Sequence, residues 1–384
     1  MDAAYLAVPK SPPDLQIPDS TSTVDVRVID TNTLLYLDPE LFWQPKLDGF
    51  NGVHAPVYCF LISHGDRHVV FDLGVRRDWE NYAPRIVSLI KATTQVTPGS
   101  DVASVLDSDR SGLGIRSRDI EAVIWSHNHF DHIGDISTFP PSTALVVGPG
   151  VRAASWPGYP SNPDAGVLDS DAHGRVIREI SFDRTSLRIG RFEALDFFGD
   201  GTFYLLNAPG HAVGHLCALA RTTAPTTSSS SSFVFMGADA CHHLGVLRPT
   251  EYLPLPRSIA LPSFPRRLER DDAGICPGAL LQRLLPGQDP RVPFFTVARG
   301  PLFLDHDAAM ETVRKIQELD AADNVFVVMA HDRSLRDRIP LFPEKINDWR
   351  ANHLRPDTRW LFCSDFEGAV QSGLARKTCT CRDE

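Results

Sequence analysis

Residues 126–135 read SHNHFDHIGD, and the apolar run EAVIWS (residues 121–126) leads into them. His127, His129, Asp131 and His132 place four strong metal-ligating side chains within six positions. Along an extended segment His127, His129 and Asp131 point the same way, because strand side chains alternate faces. A turn into a helix at His132 lets the side chains diverge toward two points. Imidazole nitrogen and carboxylate oxygen together suit a borderline cation such as zinc. A solvated polar loop with coincidental histidines does not account for the strongly apolar run that precedes the cluster.

Four residues do not complete two metal sites of about four ligands each. The further candidates also follow apolar runs. NAPGHAVGH (207–215) brings His211 and His215 after TFYLLN (202–207). FVFMGADACHH (233–243) brings Asp239, His242 and His243, and VFVVMAHD (325–332) brings His331 and Asp332. Polar residues repeatedly placed where strands end are what a site along one sheet edge requires.

Outward from the cluster, VDVRVID (24–30) reads as a strand, and PVYCFLIS (56–63) and HVVFDLG (68–74) read as a hairpin buried on both faces. TALVVG (143–148) and HLCALA (215–220) add strands, and SLRIGRFEALDFF (186–198) alternates like a hairpin around Gly190. Helical spacing appears over 78–92, with Trp79, Tyr82, Ile86, Leu89 and Ile90, and over 305–321, with Met310, Val313, Ile316 and Leu319. RTTAPTTSSSSS (221–232) is expected to be a solvated hairpin loop. Strands in runs, broken by helices in two similar halves, imply two sheets packed together with helices outside. The expected organisation is an arm over 1–22, a catalytic domain over 23–340 and an extension over 341–384 packing on the same domain. A Pro-rich insertion at about 249–300, with Tyr252, Phe264, Phe294 and Phe295, reads equally as pocket lining or as a homodimer contact.

Composition narrows the partners. The formal charge is −10 over 384 residues, and an acidic balance disfavours nucleic acid and anionic membrane. The first 20 residues lack a secretory pattern, and no apolar run approaches the ~20 residues that span a bilayer. Seven scattered cysteines read as reduced thiols, which leads to a cytoplasmic expectation.

The order HxHxDH, then a His after a Pro-Gly turn, then an Asp after a strand, then a late His after an apolar strand resembles the metallo-β-lactamase superfamily. Asp72 in VVFDLG matches its early strand-end Asp. The resemblance covers roughly residues 24–335 and implies an αββα sandwich of two mixed sheets with helices outside. It implies His127, His129 and His211 on one ion, Asp131, His132 and His331 on a second, and Asp239 bridging both. The cofactors so implied are two zinc ions, with iron or manganese as alternatives.

Within the superfamily, SHNHFDHIGD and APGHAVGH look most like the quorum-quenching lactonases that open acyl-homoserine lactones. Those enzymes carry Tyr three residues after the bridging Asp, where this chain has His242. An imidazole donates a hydrogen bond as a phenol does, and it can change charge near neutral pH. The length, the Ser-rich loop and the insertion resemble fungal members, some of which hydrolyse plant lactams and cyclic carbamates of the benzoxazolinone type. The implied reaction is attack of a metal-bridging hydroxide on the carbonyl of a small cyclic ester or amide, with Asp131 and His242 as catalytic candidates. The alternative is a thioesterase or glutathione-thioester hydrolase, with RRLER (266–270) supplying positive charge. His215 is expected to support a ligand, His243 to be structural or exposed, and Asp332 to cap a turn.

Overall fold

Two six-stranded sheets pack face to face, in a computed structural model that describes residues 5–183, 185–261 and 277–380. Phe264, RRLER, Cys276 and Cys381 lie outside the described residues. The first sheet runs in chain order through β1 (Asp25–Asp30), β2 (Tyr58–His64), β3 (Arg67–Phe71), β4 (Ile120–Ile124), β5 (Ala144–Val147) and β6 (Ile177–Glu179). β1, β2 and β3 are antiparallel, and β4, β5 and β6 continue parallel to β3. The second sheet runs through β7 (Arg188–Ile189), β8 (Phe192–Asp196), β9 (Phe203–Asn207), β10 (Leu216–Thr223), β11 (Ser232–Met236) and β12 (Val325–Val328). Its pairs are antiparallel except β11 with β12, which are parallel.

β2 shows why the strand sequences are apolar throughout. Tyr58, Phe60 and Ile62 join Phe203, Leu205, Val234 and Met236 in the core between the sheets. Cys59 and Leu61 belong to an outer cluster with the helix residues Val102 and Leu106. Each large side chain so buried stabilises the fold by about 1.5–3 kcal/mol. With both faces covered, alternation disappears from the sequence pattern. On the second sheet the cover is the helix His306–Ala321, which buries Val313, Ile316 and Leu319. Asp305 caps its start by accepting from Asp307 N and Ala308 N, both at 3.0 Å.

The expected helix over 78–92 is broken into a 3₁₀ turn, Trp79–Asn81, and a helix, Pro84–Thr93. Pro84 opens the second piece and disfavours helical backbone at the residue before it. Leu89 lies 39% exposed, off the buried face. β6, with the sequence IRE, carries no apolar signal and adds as an edge strand. In the Ser-rich stretch β10 continues to Thr223 and β11 starts at Ser232, which leaves residues 224–231 as the hairpin connection.

Segments that flank the two sheets are tied to this frame. Leu15 is buried, and Arg221 Nη2 donates to Pro18 O at 2.5 Å. Asn347 accepts from Val26 N at 2.9 Å and donates to Val24 O and Thr222 O, so it joins one sheet to the other. Among the described residues no helix is long and apolar enough to cross a membrane.

Candidate metal centre

Five loops leave the carboxyl ends of strands at one edge of the paired sheets. β3 leads to Asp72, β4 to His127–His132, β9 to His211, β11 to Asp239 and β12 to His331. β11 and β12 are in register with Met236 opposite Val328, so Asp239 and His331 emerge side by side. Gly210 makes the His211 turn fit. Its φ is +124°, and a Cβ there would lie 2.0 Å from Ala309 N in the neighbouring helix. Leu304 N and Asp305 N donate to His211 O and Gly210 O at 3.0 and 2.9 Å, which anchors this turn to the start of that helix.

The seven candidate side chains come together as two groups that share Asp239. His127, His129, His211 and Asp239 form the first, and Asp131, His132, Asp239 and His331 form the second. Within each group the ligand atoms all lie within 4.8 Å of one another. In the first, His211 Nε2 is 3.2 Å from His127 Nε2 and 3.0 Å from His129 Nδ1. Asp239 Oδ2 faces this set, 3.7 Å from His127 Nε2 and 3.5 Å from His211 Nε2. Asp239 Oδ1 faces the other, 2.9 Å from His132 Nε2 and 3.1 Å from His331 Nε2. Asp131 Oδ2 stands 3.7 and 3.4 Å from the same two nitrogens.

The ring atoms opposite the cluster are bonded behind it. His132 Nδ1 lies 2.8 Å from Asp72 Oδ2, and Asp72 Oδ1 accepts from Ser126 N at 2.7 Å. Asp72 holds φ +63° to reach both, a left-handed conformation that Asp tolerates better than most residues. His331 Nδ1 lies 2.9 Å from Pro56 O. His215 is not in either group. Its Nε2 accepts from Asp239 N at 3.2 Å and its Nδ1 meets Ala208 O at 2.9 Å. Burial pushes its pKa down to about 4, so a neutral ring holds the Asp239 backbone.

The neighbours His242 and His243 face opposite ways. His242 Nε2 lies 3.1 Å from Asp239 Oδ2, its ring stacks on His331 at 5.3 Å, and Phe42 packs at 4.4 Å. Burial pushes its pKa down against the pull of Asp239. His243 points away, caps Gly245 N at 2.9 Å and meets Asp365 Oδ2 at 3.2 Å. It is buried, so of its two expected roles the structural one applies. Asp332 caps a turn by accepting from Ser334 N at 3.0 Å. Sequence reading missed Phe303, whose ring packs 5.2 Å from His211 and 5.7 Å from His242. It also missed Asp365. Neither carries a motif, and both arrive from distant segments.

The electrostatics divide the groups. Burial and neighbouring imidazoles hold His127 and His211 well below the usual histidine range. Burial also lowers the second pair, but Asp239 and the nearby carboxylates outweigh it. They raise His132 well above the ordinary value and His331 to about 10. His132 Nε2, His331 Nε2 and Asp239 Oδ1 are buried, yet none makes a hydrogen bond. Their short separations are side-by-side convergence rather than head-on pairing. An unpaired buried polar atom costs about 1–3 kcal/mol, and a cation at the point of convergence satisfies such atoms together. The donor set of imidazoles and carboxylates therefore fits divalent metal ions of the zinc type.

Comparison with known proteins identifies the family. Residues 53–221 match the model of the metallo-beta-lactamase superfamily. The metallo-hydrolase mfmC of Annulohypoxylon moriforme is 66% identical over 369 residues, covering 94% of this chain and 92% of the relative. The gamma-lactamase FDB1 of Fusarium pseudograminearum is 43% identical over 375 residues, covering 95% and 88%. The cytochrome P450 monooxygenase mpaDE' of Penicillium brevicompactum is 54% identical over 363 residues, which cover 94% of this chain but only 39% of that relative's length. Among solved structures, an N-acyl homoserine lactone hydrolase with N-hexanoyl-L-homoserine at its catalytic metal centre superposes with a TM-score of 0.53 at 16% identity, covering 85% of this chain and 100% of that one. This chain belongs to the metallo-beta-lactamase superfamily.

Proposed function

We propose that this metal-dependent hydrolase holds two divalent ions, zinc in the first instance, and opens a small cyclic ester or amide by adding water to the ring carbonyl. One observation carries the reading: the two oxygens of Asp239 face two separate groups of ligand atoms. His127, His129 and His211 are assigned to one ion, Asp131, His132 and His331 to the other, and Asp239 to both. Ions held this way supply hydroxide at neutral pH and a Lewis acid for the carbonyl oxygen.

The chain's own residues do the rest. Asp131 is buried and assigned to the second ion, whose charge would keep its carboxylate ionised, so it accepts one proton of the attacking water and passes it to the leaving atom. His242 is neutral at pH 7 and held in place by Phe42 and His331. It donates a hydrogen bond to the oxygen or nitrogen released from the ring. Relatives named gamma-lactamase and N-acyl homoserine lactonase support a cyclic amide or ester as substrate.

The test is a hydrolysis panel of γ-lactams, benzoxazolinones, homoserine lactones and linear thioesters on protein of measured metal content. Ring opening is read in both directions, since a catalyst of opening catalyses closure equally. Turnover of ring substrates at two ions per chain supports the reading. Preference for linear thioesters would replace it with a thioesterase.

A further inference from the structure

Beyond the last rungs between β11 and β12, Gly237 N to Val328 O at 2.9 Å and Ala330 N to Ala238 O at 3.3 Å, another contact joins the two loops that carry Asp239 and His331. It comes from the far end of the chain. Asp365, with its side chain 3% exposed, forms an ion pair with Arg333, Nη2 to Oδ1 at 2.8 Å, and meets His243 Nε2 at 3.2 Å on Oδ2. Gly245 N donates to His243 Nδ1, which leaves the proton on Nε2 and makes that nitrogen the donor to Asp365. Arg333 is two residues after His331, and His243 is one after His242 and four after Asp239.

The His243 ring cannot drift to relieve a lost partner. Trp43, Phe50, Phe295 and Phe366 surround it with ring centroids 5.4 to 5.6 Å away. The ring is thus rigidly coupled to the backbone that aims His242 and Asp239 at the centre, and what holds the ring also holds that backbone. A carboxylate that takes a guanidinium on one oxygen and an imidazole on the other fixes the separation of their two loops. The His243 contact is buried on both sides, 4% and 3% exposed, whereas Arg333 is 44% exposed, so the imidazole side is the firmer of the two.

We infer that Asp365 is a positioning residue for the group formed by Asp131, His132, Asp239 and His331: through Arg333 and His243 it fixes the spacing of Asp239 and His331. This rests on the paired-ion reading above. It acts behind the ligands and touches neither substrate nor ion. It gives the C-terminal segment, outside residues 53–221 that match the family model, a direct part in holding the centre.

The experiment is zinc titration of the full-length, metal-stripped protein against a chromophoric chelator, with melting temperature measured on the same samples. Wild-type protein is expected to take up two equivalents. Asp365→Ala is expected to bind one equivalent with wild-type affinity and the second about tenfold more weakly, the lower end of the loss when a group bonded to a ligand is removed, because Asp365 reaches the ligands only through Arg333 and His243. Asp365→Asn keeps one acceptor and is expected to fall between. Val370→Ala, a buried apolar change in the following helix, controls for simple loss of stability and is expected to lower the melting temperature with both affinities kept. Two tight equivalents in Asp365→Ala, or equal weakening in Val370→Ala, overturn the positioning role. Wild-type protein that takes up fewer than two equivalents overturns the paired-ion reading itself, and this inference with it.

Discussion

Asp239 and His331 each stand three residues past the end of one of two neighbouring parallel strands, and Asp239 Oδ1 lies 3.1 Å from His331 Nε2. The register of the sheet thus sets the distance between a shared carboxylate and a terminal imidazole. Asp239 also touches the other group through Oδ2, so its loss affects both. Asp239→Ala is expected to lower zinc content from two equivalents to below one, as read by elemental analysis after desalting. Hydrolysis is expected to fall on the order of a thousandfold, since metal polarisation contributes several kcal/mol and each 1.36 kcal/mol is tenfold.

Asp72 offers a milder change at the same centre. It orients His132 through Nδ1 at 2.8 Å, and its φ of +63° limits what can replace it. Asn tolerates that backbone, whereas Ala is strained there. Asp72→Asn is expected to weaken zinc binding by about ten- to a hundredfold with little change in melting temperature of the metal-free protein. Asp72→Ala is expected to lower both. Equal melting temperatures for the two variants would refute the backbone part of this account.

The ligand candidates were legible because each sits where an apolar strand meets a polar loop, and short-range pattern shows that junction. The two-sheet core was legible for the same reason: strands such as β2 and β11 are buried on both faces and read as largely apolar runs. β6 was not, because an edge strand of sequence IRE needs only backbone pairing. The break before Pro84 was written in the chain but outweighed by helical spacing on either side. Asp365, Arg333 and Phe303 were illegible for a different reason. Their placement depends on where distant segments return, and a single Asp or Phe gives no periodic signal of its partner.

Proton release on zinc binding should report the second group directly. In the metal-free protein the carboxylates hold His132 above the ordinary histidine pKa and His331 at about 10. Raised folded-state values add stability that is complete below the unfolded pKa near 6.5. That contribution is lost as pH rises toward 10. The metal-free protein is therefore expected to melt lower at pH 9 than at pH 7. Zinc must displace those protons, so its apparent affinity is expected to rise from pH 6 to pH 8. Calorimetry in buffers of different ionisation enthalpy should show net proton release at pH 7. Uptake, or no exchange, would contradict the assignment.

Away from the centre, Arg248 grips Asp320 with Nε to Oδ2 and Nη2 to Oδ1, both at 2.7 Å and buried. Burial alone would raise the Asp320 carboxyl, but Arg248 reverses that and holds it at about 2. A lowered carboxylate pKa adds stability above the unfolded value near 3.9, lost as pH falls toward 2. Arg248→Met leaves the carboxylate buried without its partner, which typically costs about 3–5 kcal/mol. Chemical denaturation at pH 7 is expected to show that loss. The double variant Arg248→Met with Asp320→Leu is expected to recover much of it, because it removes the stranded charge.

His242 separates two readings of the leaving-group step. Its Nε2 lies 3.1 Å from Asp239 Oδ2 and its ring is clamped against His331 and Phe42. A ring amide releases a more basic nitrogen than the oxygen released by a ring ester, so a nearby donor matters more for the amide. His242→Ala is expected to lower kcat on a γ-lactam by about a hundredfold, the lower end for removing one positioned hydrogen-bond donor, and on a γ-lactone by less. His242→Tyr restores an O–H donor and is expected to recover lactone turnover more fully than lactam turnover. Zinc content measured alongside keeps a ligand role apart from a donor role. If His242→Ala lost an equivalent of zinc, the residue would belong with the ligands. If kcat fell equally on both substrates, its part would be packing around Asp239 rather than donation.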